Sequence, residues 1–89
     1  MVVRRRVIAH GLVHGVGFRV SVARVAQLRG VAGWARNHAD GTVEIVLEGG
    51  EEPVDSVVRF CREGPRAATV TLVETSAELP EGLVGFTIR

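Results

Sequence analysis

The 89-residue chain contains one cysteine, Cys61, and no tyrosine. A single cysteine excludes an internal disulfide and a cysteine-based metal site, so the fold must be held together by packing. The sequence has no apolar run long enough to cross a bilayer, and its first residues, MVVRRRVIAHG, lack the apolar segment and cleavage site of a secretory signal. We therefore expect a cytoplasmic protein with no membrane partner.

Concentrated positive charge is also missing. The formal net charge is +1, and the only basic cluster is Arg4, Arg5 and Arg6. Binding to a nucleic-acid backbone needs several clustered cations, so this composition disfavours a nucleic-acid partner. We expect the three arginines to lie on the solvent-facing or edge side of a first strand rather than to bind RNA.

The chain contains enough apolar residues to form a core, since 46% of its residues are hydrophobic. We expect a single domain over residues 1–89. β-type runs at 2–13, 33–36, 42–48, 69–75 and 86–89 predict strands, with the turn sequence NHADG joining the second and third. Helical spacing of apolar residues predicts helices at 18–29 and from Pro53 to the EGP at 63–65.

This order of elements is that of the split βαβ arrangement. We therefore predict an α+β, ferredoxin-like sandwich (βαββαβ) in which both helices cover one face of an antiparallel sheet. Many functions use this fold, so the fold alone decides nothing about chemistry.

Residues 11–19, GLVHGVGFR, form a glycine-rich connection between the first strand and the first helix. The N–H groups of such a loop have no partners of their own, and Gly15 and Gly17 can adopt conformations in which these groups converge on an anion. Arg19, in the first helical turn, adds a planar fork for two oxygens of one phosphoryl group. The loop alone fits a phosphate site and a plain glycine-rich turn with an exposed arginine equally well.

A second segment, GWARNHADGTVEIVLEG at residues 33–49, ends a predicted central strand with Asn37. That strand lies beside the first strand and its loop in a split βαβ fold, which brings Asn37 toward Arg19. Taken alone, Asn37 could simply begin the turn, as asparagine often does.

Together the two segments closely resemble the signatures of acylphosphatases, G-x-V-Q-G-V-x-F-R and G-W-x-x-N-x-x-x-G-x-V-x-x-x-x-x-G, and the likeness extends over the whole chain. The resemblance implies hydrolysis of small acyl phosphates to a carboxylate and phosphate without metal or cofactor. Nothing in the sequence demands more than a monomer, which is the state we expect. It implies that Arg19 binds phosphate and that Asn37 orients the attacking water. The implied substrate-binding residues are His14, Gly15, Val16, Gly17, Phe18 and Arg19.

The first motif departs from the family at His14, where glutamine is usual. We expect a tolerated polar replacement whose ring lies partly in solvent. The alternative is that His14 tunes phosphate affinity with pH, since histidine titrates near neutrality.

The remaining polar and aromatic residues are expected to be structural. We interpret His10 and His38 as surface residues whose spacing suggests no metal site. Trp34 is expected to pack rather than to stack on a ligand. Glu44 and Glu48 are expected to face solvent, and Cys61 to be buried.

Two other functions remain open. The chain could be a non-catalytic module that binds phosphate or carbamoyl phosphate, because acylphosphatase-like domains also occur within larger maturation proteins. Its length and the presence of both Arg19 and Asn37 favour the enzyme. An RNA-binding domain of the same fold should expose aromatic residues on its central strands, and the third strand has none.

Overall fold

Five strands and two helices follow one another in the predicted order in the computed structural model, which describes residues 1–89. They are β1 (Val2–Leu12), α1 (Phe18–Leu28), β2 (Ala32–Asn37), β3 (Val43–Gly50), α2 (Glu51–Glu63), β4 (Thr69–Glu78) and β5 (Phe86–Ile88). Neither helix is long and apolar enough to span a membrane.

The strands form one sheet in the order β4-β1-β3-β2-β5. Strand β1 pairs antiparallel with β3 and β4, and β2 pairs antiparallel with β3 across the predicted hairpin. The predicted ferredoxin-like class is confirmed. The sheet differs from the prediction in one pair: β5 crosses from β4 to the far edge and runs parallel to β2.

The core lies between one face of the sheet and the two helices. Val7, Ile45 and Leu47 from the central strands are fully buried there, as is Cys61 from α2. Burial raises the pKa of the Cys61 thiol to about 12, which is typical of an inert core cysteine. The prediction that Cys61 is buried is confirmed.

Most element boundaries differ from the sequence prediction by one to three residues. Helix α2 begins at Glu51 rather than Pro53, because the first turn of a helix tolerates a proline that has no N–H to donate. Helix α1 ends at Leu28, and the left-handed Gly30 follows it. Strand β4 extends to Glu78, three residues beyond the end of the run predicted at 69–75.

The face of the sheet opposite the helices carries ion pairs. Arg4 was expected on a solvent-facing or edge side of the first strand, and Glu44 and Glu48 were expected to face solvent; both expectations were wrong. Arg4 is only 4% exposed, and Glu44 and Glu48 are 7% and 3% exposed. Strand β1 is central rather than at an edge, and its register places Arg4 between Glu48 and Glu78. These charges are buried because each has an opposite charge on the neighbouring strand.

Trp34 also lies on this opposite face, and its expected packing role is confirmed. The indole is 8% exposed and is absent from the core cluster. The guanidinium of Arg89 lies 4.3 Å from the ring centroid, and those of Arg36 and Arg6 lie at 5.6 and 5.8 Å. Cation–π contacts therefore cover the ring.

Candidate active site

A small cavity of about 100 Å³ opens where β1, α1 and β2 meet. Its lining residues are Val13, Gly15, Gly17, Phe18, Arg19, Val20 and Asn37. The structure thus brings together five of the residues singled out from the two sequence motifs. The side chains of His14 and Val16 do not line the cavity. Val13 and Val20 line it without having been predicted, since isolated valines beside a glycine loop carry no distinctive signal.

The glycine loop presents unpaired N–H groups. Gly15 and Gly17 adopt left-handed φ values of 69° and 73°. The N–H groups of Gly15, Val16 and Gly17 donate no hydrogen bond within the protein, and the first bond of α1 runs from the Ser21 N–H to the Gly17 carbonyl oxygen at 3.0 Å. Gly17 caps the helix without a side-chain hydrogen bond. The loop and the helix N-terminus therefore have the donors and the dipole of an anion site.

Apolar side chains hold this loop against the core. Phe18 is 2% exposed and belongs to the core cluster, while Val16 packs against that cluster. These two contacts anchor the loop to the core. The loop is thus pre-formed, which limits the entropy lost when a ligand binds.

Arg19 forms no ion pair with an acidic side chain. Its Nη1 donates to the backbone carbonyl oxygen of Arg89 at 2.8 Å. No ion pair within 4.0 Å joins it to an aspartate or glutamate. The residue following β5 therefore holds the guanidinium at the cavity, where no acidic side chain competes with an anion for it.

Asn37 ends β2 on the helix-facing side of the sheet, opposite Val43 in the register. Its Oδ1 atom is buried and has no hydrogen-bond partner in the protein. A buried acceptor without a partner costs about 1–3 kcal/mol, so such an atom is typical of a site that receives a donor from a ligand or water.

His14 connects the loop to the β2–β3 turn. Its Nε2 lies 2.8 Å from the backbone carbonyl oxygen of Thr42. A carbonyl oxygen only accepts, so Nε2 carries the proton. The turn is itself fixed, because the Thr42 N–H and hydroxyl both donate to Asp40 Oδ1, and these bonds lower the pKa of Asp40. The ring is half-buried, as expected from the sequence.

The other two histidines lie on the opposite face of the sheet. His10 Nε2 is 2.5 Å from Glu74 Oε1, and His38 Nε2 is 2.6 Å from Glu44 Oε1. Both rings are half-buried rather than fully at the surface. No three histidine, cysteine or acidic side chains are grouped so that they could hold a metal ion.

Known proteins share both the sequence and the fold. A sequence profile of the acylphosphatase family matches residues 5–88. The chain is 49% identical over 86 residues to an acylphosphatase of Thermococcus kodakarensis, with 97% of this chain and 94% of that one covered. It is 46% identical over 87 residues to an acylphosphatase of Trichormus variabilis, with 98% and 86% covered.

A solved structure also matches the fold over the whole chain. The crystal structure of acylphosphatase from Bacillus subtilis matches with a TM-score of 0.95 at 38% identity, covering 100% of this chain and 99% of that one. The sequence and structural matches both extend over nearly the full length of each partner. The chain therefore belongs to the acylphosphatase family, and its enzyme class is that of an acylphosphatase.

Proposed function

We propose that the protein hydrolyses the carboxyl–phosphate bond of small acyl phosphates to a carboxylate and inorganic phosphate, with no metal or cofactor. One observation carries the proposal: unpaired loop N–H groups, the Arg19 guanidinium without an acidic side-chain partner and the unpartnered Asn37 carbonyl oxygen meet at one small cavity. The first two attract a phosphoryl group, and the third can hold a water molecule.

In this proposal the phosphoryl oxygens accept hydrogen bonds from the backbone N–H groups of residues 15–18 and from Arg19. Val16 contributes through its N–H alone, because its side chain packs on the core. His14 contributes by fixing the loop to Thr42. The helix dipole and the guanidinium stabilise charge on the equatorial oxygens as the bond to the leaving group breaks.

Asn37 orients the nucleophile. Its amide is not basic enough to remove a proton, but Oδ1 can accept a hydrogen bond from a water aligned with phosphorus. The water oxygen attacks phosphorus, the P–O bond to the acyl group breaks, and the electron pair leaves with the carboxylate. The carboxylate is a weak base that departs without a proton, so no general acid is required. The proton of the water passes to a phosphoryl oxygen.

Hydrolysis of benzoyl phosphate, followed by ultraviolet absorbance with a chelator present, tests the proposal. We expect turnover that the chelator does not change and that Asn37→Ala largely removes, while inorganic phosphate still binds to the variant. A protein that binds phosphate without hydrolysing benzoyl phosphate would instead be a binding module.

We further propose that the enzyme acts as a single-domain monomer in the cytoplasm on a small-molecule substrate. All groups of the cavity come from one chain, so no second copy is needed to complete the site. Sedimentation equilibrium of the purified protein tests the monomer, and a dimeric mass would contradict it.

A further inference from the structure

Glu48 is a buried carboxylate on the face of the sheet opposite the cavity. It is 3% exposed, and its Oε2 accepts a hydrogen bond from Arg4 Nη1 at 2.6 Å. Three consecutive backbone N–H groups of the segment after β4 also donate to it: Glu81 at 2.8 Å, and Gly82 and Leu83 at 3.0 Å each. Burial alone would raise the pKa of Glu48, but these hydrogen bonds outweigh it and lower that pKa to about 2.

The segment held by Glu48, residues 79–85, has few other attachments. Leu79 and Val84 are 87% and 94% exposed, so their side chains contribute little packing. The segment leads into β5, which is only three residues long. A carboxylate that accepts three backbone donors is therefore the main polar contact fixing where β5 begins.

Strand β5 connects this segment to the cavity. At its start, the Gly85 carbonyl oxygen accepts from the Gly33 N–H at 2.9 Å. After its end, the Arg89 N–H donates to the Ala35 carbonyl oxygen at 2.8 Å. The Arg89 carbonyl oxygen then accepts from Arg19 Nη1. The position of β5 thus determines where the acceptor for Arg19 lies.

We propose that Glu48 is a positioning residue for Arg19: by binding residues 81–83 it fixes β5, and β5 directs the guanidinium toward the cavity. The inference rests on the proposed function for its kinetic consequences, but not for its structural ones. Glu48 does not line the cavity, and in this proposal it acts through the backbone of β5.

The test compares two variants that each neutralise one carboxylate bound to Arg4. Glu48→Gln removes the negative charge to which the N–H groups of residues 81–83 donate. Glu78→Gln is the matched control, because Glu78 bonds to Arg4 and Arg6 but to no N–H of the segment. We expect Glu48→Gln to weaken inorganic phosphate binding about tenfold and to lower kcat/KM for benzoyl phosphate at least about tenfold, because Arg19 acts both in binding and in the transition state. We expect Glu78→Gln to change each constant less than about twofold.

Amide hydrogen exchange measures β5 directly. In Glu48→Gln the N–H groups of Gly33 and Arg89 should exchange at least about tenfold faster than in Glu78→Gln, while amides between β1 and β3 keep their rates. In an Arg19→Ala background, Glu48→Gln should change kcat/KM less than about twofold, because the residue through which it acts is gone. A purely structural role would not produce this selectivity.

A second variant covers the case in which Glu48→Gln does not fold. Gly82 has a φ of +81°, and a Cβ there would meet nothing within 4 Å. Gly82→Ala therefore strains the segment through its backbone alone and leaves Glu48 and Arg4 in place. It should shift phosphate affinity and exchange in the same direction as Glu48→Gln.

Two results would overturn the role of Glu48: faster exchange in β5 with unchanged phosphate affinity, or equal effects of Glu48→Gln and Glu78→Gln. If the parent protein binds phosphate but does not hydrolyse benzoyl phosphate, the proposed function fails. The phosphate and exchange comparisons still decide the role of Glu48 in that case.

Discussion

Replacing Asn37 by alanine separates catalysis from folding, because the atom that it removes has no partner in the protein. The Oδ1 atom makes no intramolecular hydrogen bond, so none is lost. The substitution removes only the packing of the rest of the side chain, which lines a cavity. We therefore expect a thermal midpoint close to that of the parent.

The effect on turnover should be large. A preorganised hydrogen bond that positions a reacting group is worth about 2.7–4 kcal/mol, or roughly a hundredfold or more in kcat. In the proposed mechanism Asn37 orients water rather than phosphate, so the dissociation constant of inorganic phosphate should change less than about threefold.

Three measurements on the same preparation test this reasoning: benzoyl phosphate turnover by ultraviolet absorbance, phosphate binding by calorimetry and thermal unfolding by circular dichroism. Asn37→Asp is a useful comparison, since it keeps the shape but introduces a negative charge beside a bound dianion. It should weaken phosphate binding, whereas Asn37→Ala does not. An Asn37→Ala protein with kcat near that of the parent, or with phosphate binding lost together with turnover, would refute the assigned role.

Three further outcomes are expected. Arg19→Lys should weaken phosphate binding and lower kcat by about tenfold or more each, because an ammonium cannot reproduce the guanidinium fork; kinetic constants equal to those of the parent would contradict this. Ionised Glu48 contributes stability that is fully present above its ordinary pKa of 4.5 and is lost as pH falls toward 2. The thermal midpoint of the parent should therefore fall over that range more steeply than that of Glu48→Gln, and parallel curves would exclude the effect. His14→Gln can still donate to the Thr42 carbonyl, so kcat/KM and its pH dependence should stay within about threefold of the parent, whereas a flattened pH profile would show that the imidazole titration matters.

Much of the fold could be predicted from local patterns. Alternating and helical spacing identified the elements, and the turn between β2 and β3 follows from its Asn, Asp and Gly residues. The boundaries of α2 and β4 were less accurate, because a proline fits within a first helical turn and a strand can continue into polar sequence. The parallel partner of β5 could not be derived from a three-residue run, since such a run carries no information about which edge it joins.

The opposite face of the sheet shows what local patterns miss. Glu44 and Glu48 were expected to face solvent, because the sequence of β3 alone does not show that Arg4 and Arg6 on β1 pair with them. Burial of a charge depends on long-range pairing, and pairing depends on register. The hydrogen bonds from residues 81–83 to Glu48 also join residues far apart in the chain, and nothing in the sequence of 81–83 indicates them.

The glycines of the two motifs serve different purposes, which the sequence alone did not distinguish. A Cβ at Gly33 would lie 1.8 Å from the Val46 carbonyl oxygen, so this glycine permits close strand packing. At Gly15 and Gly17 a Cβ would meet nothing within 4 Å. Their requirement is the left-handed φ that turns the loop N–H groups outward, a property of the site rather than of the core.

A crystal structure of the protein with inorganic phosphate tests the central claim most directly. We expect the anion in the cavity, bound by the N–H groups of residues 15–18 and by the Arg19 guanidinium, with Asn37 Oδ1 accepting from a water on the far side of phosphorus. An anion bound elsewhere, or an Asn37 side chain turned away from a bound phosphate, would contradict it.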